Sequence, residues 1–405
     1  MLLAHAAGRL AGWLRPVRQA NRPMPSTPLQ PGISVVIPSR NGKDLLAAQL
    51  SGIARDLDAA RSEIIVVDNG SSDGTAEWLP QQPLGIPVVV EISDAPLGFA
   101  RAVNRGIARA RYSHVCLLNN DMRIEPGFFA ALRRAFDVEP GLFCATAQIR
   151  FPPGVRREET GKAVMRQEAP DDFPIRCDEP LPGEDLTWVL YGSGGCSAYN
   201  TEKLRELGGM DEAYDPAYVE DLDLGYRAWL RLWPTVYVAG AVVEHRHRAT
   251  TSRYYTEEQI SQILEINYLK FVARAVAGSA VFGRLWAQAL GRLRRLRHPI
   301  LRQAARIALA GGPAPRPASE EELLLALTGG SVACFPGGAK TRGSVVAGEL
   351  SAALPEGSVL VAPVDELKTP PPELLAVCAE VVLVRRSAPL AFRAALEQSR
   401  RRAQL

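Results

Sequence analysis

Short apolar runs alternate with segments of helical spacing along the first half of the chain. The runs are rich in valine, isoleucine and leucine, and they occupy residues 33–37, 64–67, 88–92 and 115–118. Leucine and alanine recur at helical spacing over residues 45–60, 99–110 and 126–137, the last opening with proline. Strands alternating with helices predict an α/β fold, with a mostly parallel sheet covered by helices on both faces.

The second half of the chain is less regular. Residues 151–185 are rich in proline, arginine and acidic residues, and we interpret them as a mobile excursion outside the core. Order returns with an apolar stretch, a glycine-rich turn, two helices and a strand, at residues 188–191, 192–195, 201–207, 220–229 and 236–243.

These patterns predict five parts of the chain. Residues 1–31 form an amphipathic and proline-rich N-terminal segment, and residues 32–255 form the main domain. A basic helical segment and a linker follow, at residues 256–310 and 311–330. Residues 331–405 form a small α/β domain, with strands expected at residues 331–335, 359–361 and 381–384.

Polar residues follow two of the apolar runs directly. Residues 68–74, Asp-Asn-Gly-Ser-Ser-Asp-Gly, come after the second run, and residues 119–121, Asn-Asn-Asp, come after the fourth. In open α/β sheets, ligands bind beyond the carboxyl ends of the strands. We therefore expect both acidic groups to lie along one edge of one sheet.

Each of these groups has a structural alternative. The loop 68–74 either holds a nucleobase or ribose through its carboxylate, or is a surface turn that caps the next helix. Residues 119–121 either bind Mg²⁺ or Mn²⁺ together with ligand phosphates, or cap a helix before Pro126. His245 and His247 are metal ligands, phosphate contacts or structural histidines.

Two later stretches are equally open. Gly194 and Gly195 form either a buried tight turn or a wall that lets a ligand approach closely. Residues 220–223, Glu-Asp-Leu-Asp, either supply a general base or are a charged helix start favoured by the helix dipole. Asp221 and Asp223 cannot both point into one site unless the pKa of one carboxyl is raised.

Composition excludes several classes of protein. The chain has 405 residues, of which 47% are hydrophobic and 22% charged, so it is not disordered as a whole. Its net charge of +3 is too small to indicate a nucleic-acid partner. No apolar run reaches transmembrane length, and His5 and Arg9 interrupt the N-terminal apolar residues. The six cysteines are scattered, which favours reduced thiols in a cytoplasmic protein.

Positive charge is concentrated in one segment. Residues 270–306 contain nine lysines and arginines, and no acidic residue occurs from residue 267 to residue 319. Apolar residues lie between the charges, a pattern typical of helices that bind an anionic membrane surface. We expect peripheral membrane contact through this segment, at the inner face of the plasma membrane.

Five motifs in order resemble family 2 glycosyltransferases, and among them a bacterial rhamnosyltransferase-like branch. The motifs are residues 33–41, 65–74, 97–106, 117–121 and 218–227. The resemblance implies a GT-A-type nucleotide-sugar-binding fold. It also implies inverting transfer of a sugar from a UDP- or dTDP-sugar to a hydroxyl of a saccharide or lipid-linked acceptor, in the synthesis of cell-surface glycan or glycolipid.

The resemblance also implies roles for individual residues. Those expected to bind the nucleotide sugar are Pro38, Ser39, Asn41, Asp68, Arg101, Asn104 and Asn120. Asp221 is expected to act as the base, with Gly194, Gly195 and Glu220 on the acceptor side. Asp121 and His245 are expected to bind Mg²⁺ or Mn²⁺, although Asn119 replaces the first acid of the family's metal motif.

Two other functions are known for chains with an α/β pattern of this kind. A nucleotide-sugar-binding or scaffold protein without transfer activity is the alternative, and Asn119 supports it. An NAD-dependent oxidoreductase is disfavoured, because Pro38-Ser39-Arg40-Asn41 stands where a G-x-G-x-x-G would follow the first strand.

Overall fold

The computed structural model divides the chain into two units, Met1–Pro317 and Ala318–Leu405. It describes residues 21–139, 141–152, 160–165, 175–177, 179–180, 183–231, 233–246, 251–276, 279–295, 298–304, 307, 358–364 and 378–385. Among these residues, the first unit is built on a nine-stranded sheet.

The strands and helices of the first unit follow the chain in this order. The strands are β1 Gln30–Ser39, β2 Ser62–Asn69, β3 Val88–Ser93, β4 Tyr112–Leu118, β5 Met122–Ile124, β6 Cys144–Arg150, β7 Ala163–Met165, β8 Ile175–Cys177, β9 Thr187–Val189, β10 Cys196–Asn200 and β11 Thr235–His245. The helices are α1 Lys43–Asp56, α2 Thr75–Trp78, α3 Phe99–Arg109, α4 Phe128–Val138, α5 Thr201–Glu206, α6 Glu220–Trp229, α7 Glu257–Ala275 and α8 Ser279–Arg295.

One half of the sheet is parallel, as the sequence predicts. Its order is β3-β2-β1-β4, and every neighbouring pair in it is parallel. Val35, Val36 and Ile37 of β1 are fully buried, because helices cover the faces of these strands. Helix α3 packs on β1 and β2, and a Cβ on Gly106 would lie 2.3 Å from Val36 Cγ1. Only glycine permits that close approach of helix to strand.

The other half of the sheet is mixed; the sequence predicts its strand β11 at residues 236–243 but not β5, β6 or β10. Strand β10 is antiparallel to both β4 and β6, while β11 is parallel to β6 and antiparallel to β5 and β9. The sequence of β10, Cys-Ser-Ala-Tyr-Asn, has too few branched apolar residues to resemble a buried strand. Its side chains are nonetheless mostly buried, because helices α4 and α5 pack against the strand.

Two details differ from expectation. Helix α4 begins at Phe128 with Gly127 (φ +87°) as its N-cap, two residues later than a start at Pro126. The stretch 151–185 is also less separate than an excursion: β7 pairs with β8, and Ala163 is 4% exposed. The N–H of Leu190 donates to the Ala163 carbonyl at 2.7 Å, which ties this stretch to the main sheet.

The basic segment is helical, but part of its charge is used inside the protein. Lys270 Nζ donates to the Ala213 carbonyl at 2.9 Å, and Arg274 pairs with Asp211 at 3.0 Å. Arg292, 7% exposed, pairs with Glu265 of α7 at 2.6 Å. The membrane-binding surface expected from the sequence is therefore wrong for Lys270, Arg274 and Arg292, whose charges are paired within the protein. Within the residues that the structure describes, no helix is long and apolar enough to cross a membrane.

The second unit contains β12 Ser358–Val364 and β13 Cys378–Arg385, which pair in parallel. Two strands predicted at residues 359–361 and 381–384 fall within them. The strand predicted at residues 331–335, the linker at 311–330 and the amphipathic residues 1–20 lie outside the described residues. The five-part division of the chain stays a prediction.

Candidate functional site

Residues 38–43 and 68–75 form the two loops expected to bind the donor, and we call them the donor-side loops. Hydrogen bonds join these two loops to each other. The N–H of Asn41 donates to Ser71 Oγ at 2.9 Å, and the N–H of Ser72 donates to Asn41 Oδ1 at 2.7 Å. Asn41 has φ +47°, a left-handed conformation that asparagine tolerates. The structure thus fixes the loop after β1 against the loop after β2.

Asp68 lies at the base of this loop pair. It is 3% exposed, and its Oδ1 accepts a hydrogen bond from the N–H of Ser71 at 3.1 Å. In the register of β1 and β2, Pro38 and Ser39 lie beside Val67 and Asp68. Four of the expected nucleotide-binding residues are therefore neighbours at the carboxyl edge of the sheet.

Helix capping in this region is done by another carboxylate. Asp73 accepts hydrogen bonds from the N–H of Thr75 at 3.1 Å and from its Oγ1 at 2.6 Å. Burial raises the pKa of Asp73, but hydrogen bonds from Thr75 and the Lys43 N–H outweigh it and lower the pKa. Because Asp73 accepts the first N–H of α2, whose N-cap residue is Gly74, the turn interpretation of the loop does not require Asp68.

The loop after β4 continues the same edge. Asn120, 4% exposed, donates through Nδ2 to Ser39 Oγ at 2.9 Å, and the N–H of Asn119 donates to the Gly195 carbonyl at 2.8 Å. The loop is not the cap of α4, because Asp56 accepts the N–H groups of Gly127 and Phe129 there. The alternative interpretation of residues 119–121 as a helix cap is therefore wrong.

Asp121 and His245 face each other at this edge. His245 Nε2 lies 3.6 Å from Asp121 Oδ2, and Asp121 Oδ1 is buried with no hydrogen-bond partner among the described residues. A carboxylate oxygen left without a partner beside an imidazole fits a divalent cation, since both are common ligands of such ions. No group of three or more histidine, cysteine or acidic residues within the described ranges is placed to hold a metal. His247 lies outside those ranges.

Asp221 reaches the glycine turn from the far side of the site. Its Oδ2 accepts the N–H of Gly194 at 3.2 Å, and its Oδ1 accepts the N–H of Leu222 at 2.8 Å. Burial raises the pKa of the Asp221 carboxyl in spite of these bonds. A Cβ on Gly195 would lie 2.6 Å from Asn119 Nδ2, so the turn has no room for a side chain.

Glu220 is the most unusual carboxylate of the site. It is 4% exposed, and its Oε2 has no hydrogen-bond partner among the residues described. Burial, together with the charge of Asp221, raises the pKa of Glu220 to about 8. The backbone N–H groups of Tyr218 and Glu220 oppose this rise only in part. The Glu220 carboxyl therefore keeps its proton to a higher pH than an ordinary glutamate does.

We call residues 211–221 the base loop, because Asp221 is the expected base. The backbone of this loop is strained immediately before Glu220 and Asp221. Tyr218 has φ +71° and Val219 has φ +79°, and neither is a glycine. A left-handed conformation is costly for a β-branched residue and persists only where its surroundings impose it. This backbone conformation places Glu220 and Asp221 in the first turn of α6.

Asp223 has a structural role, which separates it from Asp221. It is fully buried, accepting from Tyr214 Oη at 3.1 Å and from Arg227 Nε at 2.6 Å. Arg227 donates further to the carbonyl groups of Leu207 and Gly209. Of the two aspartates, only Asp221 borders the glycine turn.

Two expected donor contacts have protein partners instead. Arg101 is largely exposed and pairs with Glu212 at 3.1 Å. Asn104 donates to the Met210 carbonyl at 2.8 Å and accepts the Met210 N–H at 2.9 Å. Both therefore join α3 to the base loop and its neighbourhood, and their contact with a donor stays a prediction.

The sequence did not single out the segment after β11, which closes on the donor-side loops. Arg253 donates to the Asn41 carbonyl at 2.5 Å and pairs with Asp44 at 3.0 Å. Tyr254 Oη accepts from Asn41 Nδ2 at 3.2 Å, and the Arg40 guanidinium lies 4.1 Å from the centre of the Tyr254 ring. No periodicity marks these residues, because their partners are some 210 positions earlier.

The contacts form one continuous path along the sheet edge. Asp68 joins Ser71 and Asn41, Ser39 joins Asn120, and Asn119 joins the turn that bonds Asp221. A cavity of about 400 Å³ at the opposite ends of β1 and β4, beside His114 and Phe136, contains none of the predicted site residues. The carboxyl edge is therefore the candidate site.

Comparison with known proteins agrees with this geometry. Residues 34–208 match the model of the family "Glycosyl transferase family 2". The chain is 28% identical over 215 residues to an N-acetylglucosaminyl-diphospho-decaprenol L-rhamnosyltransferase of Mycobacterium tuberculosis, covering 47% of this chain and 68% of the relative. It is 25% identical over 260 residues to the uncharacterized protein y4gI of Sinorhizobium fredii, covering 61% of this chain but only 28% of that protein.

A solved structure supports the fold. The crystal structure of GalNAc-T7 with UDP, GalNAc and Mn²⁺ superposes with a TM-score of 0.51 at 16% identity, over 68% of this chain and 54% of that one. The expected GT-A-type fold is thereby confirmed. The family match therefore assigns residues 34–208 to a glycosyltransferase family 2 domain, and the mycobacterial relative is similar over much of the same region.

Proposed function

We propose that the chain transfers a sugar, with inversion, from a UDP- or dTDP-sugar to a hydroxyl of a saccharide or lipid-linked acceptor in cell-envelope glycan synthesis. The observation that carries the proposal is Asp221, a carboxylate with a raised pKa at the end of a contact path that begins at Asp68. The mycobacterial relative, whose name specifies a rhamnosyl group and a decaprenol-linked acceptor, supports this acceptor class.

The residues suit a single displacement. Asp221 accepts the proton of the acceptor hydroxyl, whose oxygen forms a bond to the anomeric carbon. The bond from that carbon to the diphosphate oxygen breaks, and its electron pair leaves with the nucleoside diphosphate. Attack on the face opposite the leaving group inverts the configuration, as in inverting glycoside hydrolysis. General-base help of this kind contributes roughly 10²–10⁴-fold in rate.

Donor binding belongs to the opposite end of the path. Asp68 and Asn41 offer oxygens to the nucleoside, and Asn120 lies beside Ser39 next to them. Asp121 and His245 would hold Mg²⁺ or Mn²⁺, which when bound neutralises charge on the diphosphate. The amide of Asn119 faces the glycine turn, so the ion would depend on phosphate oxygens for its remaining ligands.

One observation favours a second function, a nucleotide-sugar-binding protein without transfer activity. The first position of the metal motif is Asn119, which brings no charge. A direct assay separates the two: the full chain is incubated with UDP- and dTDP-hexoses, MnCl₂ and a polyprenyl-diphospho-GlcNAc acceptor. Transfer yields glycosylated lipid of inverted configuration by mass spectrometry and NMR. Donor-induced thermal stabilisation without product would instead establish the binding protein.

Membrane contact is proposed for a smaller set of cations than the sequence indicated. Arg294, Arg295 and Arg302 are exposed, whereas Lys270, Arg274 and Arg292 pair inside the protein. Exposed arginines near a membrane attract anionic lipid headgroups. We expect salt-sensitive sedimentation with phosphatidylglycerol vesicles, weakened by the double change Arg294→Glu and Arg295→Glu. Unchanged sedimentation of that variant would exclude this surface.

A further inference from the structure

Helix α7 holds the base loop from outside the motifs that identify the family. The carbonyl oxygens of Tyr214, Ala217 and Tyr218 lie 2.7, 2.8 and 3.1 Å from Asn267 Nδ2. Asn267 is 1% exposed and Tyr214 is fully buried, while Ala217 and Tyr218 are half-buried. One buried amide nitrogen thus gathers three carbonyl groups of the base loop.

The orientation of this amide follows from its neighbours. Lys270 Nζ, one helical turn later, donates to Asn267 Oδ1 at 3.0 Å and to the Ala213 carbonyl at 2.9 Å. An ammonium can only donate, so the atom facing it must be the amide oxygen, and the amide nitrogen then faces the carbonyl groups. Arg274, one turn further, pairs with Asp211 at the start of the loop.

These contacts converge just before the strained residues. Tyr218, whose carbonyl bonds Asn267, has φ +71°, and Val219 after it has φ +79°. Without a donor for those carbonyl groups, the two residues would relax toward negative φ. The peptide plane leading into α6 would then rotate and move Asp221 away from the Gly194 N–H.

We propose that Asn267 is a positioning residue for Asp221, acting through the backbone of the base loop. The proposal rests on the proposed sugar transfer, in which Asp221 is the base. Asn267 contacts neither donor nor acceptor in this scheme. It sets where the carboxylate points and how far water is kept from it.

Asn267→Ala in the full chain tests the proposal. Displacing a reacting group by about 1 Å costs roughly 10²-fold in rate, so kcat should fall by that order while the donor KM stays near wild type. Water reaching Asp221 would lower its raised pKa, and the acid limb of the kcat profile should move to lower pH. Hydrogen exchange should accelerate in residues 211–221 and stay unchanged in β2.

Two further variants secure the interpretation. Asn267→Asp keeps the side-chain volume but places a carboxylate oxygen against the carbonyl groups, and it should show the same loss if the alanine variant does not fold. Thr201→Val removes a different buried hydrogen bond, from Thr201 Oγ1 to the Tyr112 carbonyl at 2.8 Å, and should leave the pH profile unchanged.

Wild-type kcat in folded Asn267 variants, or an acid limb that also moves in Thr201→Val, overturns the positioning role alone. Absence of transfer by the wild-type chain overturns the proposed function, and the positioning role with it.

Discussion

The donor-side loops and the base loop lie at the two ends of the candidate site, and they differ in how fully their polar groups are hydrogen-bonded. In the donor-side loops, Asn41, Ser71 and Asp68 bond one another without a ligand. In the base loop, one Glu220 oxygen has no hydrogen-bond partner among the described residues, and Val219 is strained. For the proposed transfer, the donor-side loops would thus be arranged before the ligand binds, which lowers the entropy cost of binding. The base loop would instead keep groups in states that contact with water would relax.

The largest expected effect is a loss of kcat without a loss of donor affinity, from a substitution in the base loop. Asp221→Asn removes the proposed proton acceptor but preserves the shape of the side chain, so kcat should fall about 10²–10⁴-fold. UDP affinity, measured by calorimetry with MnCl₂, should remain within error of wild type because the donor-side loops do not depend on Asp221.

Asp223→Asn is the matched control on the same helix. It weakens the buried pair with Arg227, and breaking such pairs costs about 3–5 kcal/mol of stability. Its Tm should fall while kcat per folded molecule stays close to wild type. Near-normal turnover by Asp221→Asn would remove that residue from the role of base.

An intermediate effect is expected at the binding end. Asn41→Gly tolerates the left-handed φ but loses the side-chain bonds to Ser72 and Tyr254. Each bond contributes about 0.5–1.5 kcal/mol, so donor KM should rise roughly 10-fold with little change in kcat. Asn41→Asp retains the acceptor for Ser72 and should lose less. A fall in kcat at unchanged KM would show that the two ends are not independent.

The smallest effect concerns the pH dependence of stability. The folded-state pKa of Glu220 is about 8, above its ordinary value of 4.5, so the folded protein binds this proton more tightly than the unfolded chain. Stability from this group is complete below about pH 4.5 and is lost as the pH rises toward 8. Glu220→Gln should therefore match wild-type Tm near pH 5 and exceed it near pH 8.

The double variant Glu220→Gln with Asp221→Asn is compared with Asp221→Asn alone. This comparison gives the effect of Glu220 on Tm without the neighbouring charge, and so separates the contribution of that charge to the Glu220 pKa from the contribution of burial. A Tm difference between Glu220→Gln and wild type that stays constant with pH would contradict a raised pKa.

The parallel half of the sheet could be predicted from the sequence because β1, β2 and β4 are largely buried on both faces. Such strands are continuous apolar runs, and polar residues at or just after their ends, such as Asp68 and Asp121, indicate the edge where a ligand is expected. Strand β10 has no such run, since helices α4 and α5 bury side chains that are not strongly apolar.

The sequence can predict those parts of the candidate site whose residues are neighbours both in sequence and in space. Asp221 and Asp223 are two positions apart on a helix and therefore about 200° apart around its axis, so one faces away from any site the other faces. Sequence alone could not say which, because Arg227 and Tyr214 decide it by pairing with Asp223. Lys270 and Arg292 show the same limit: their charge indicated a surface, but their partners are inside the protein.

The three carbonyl groups bonded by Asn267 affect where the chain can be truncated. A recombinant fragment ending at residue 255 would contain all five family motifs. It would nevertheless remove the side chain that donates to three main-chain acceptors of the base loop. A fragment meant to carry the proposed activity must therefore extend into α7, beyond the last of the family motifs.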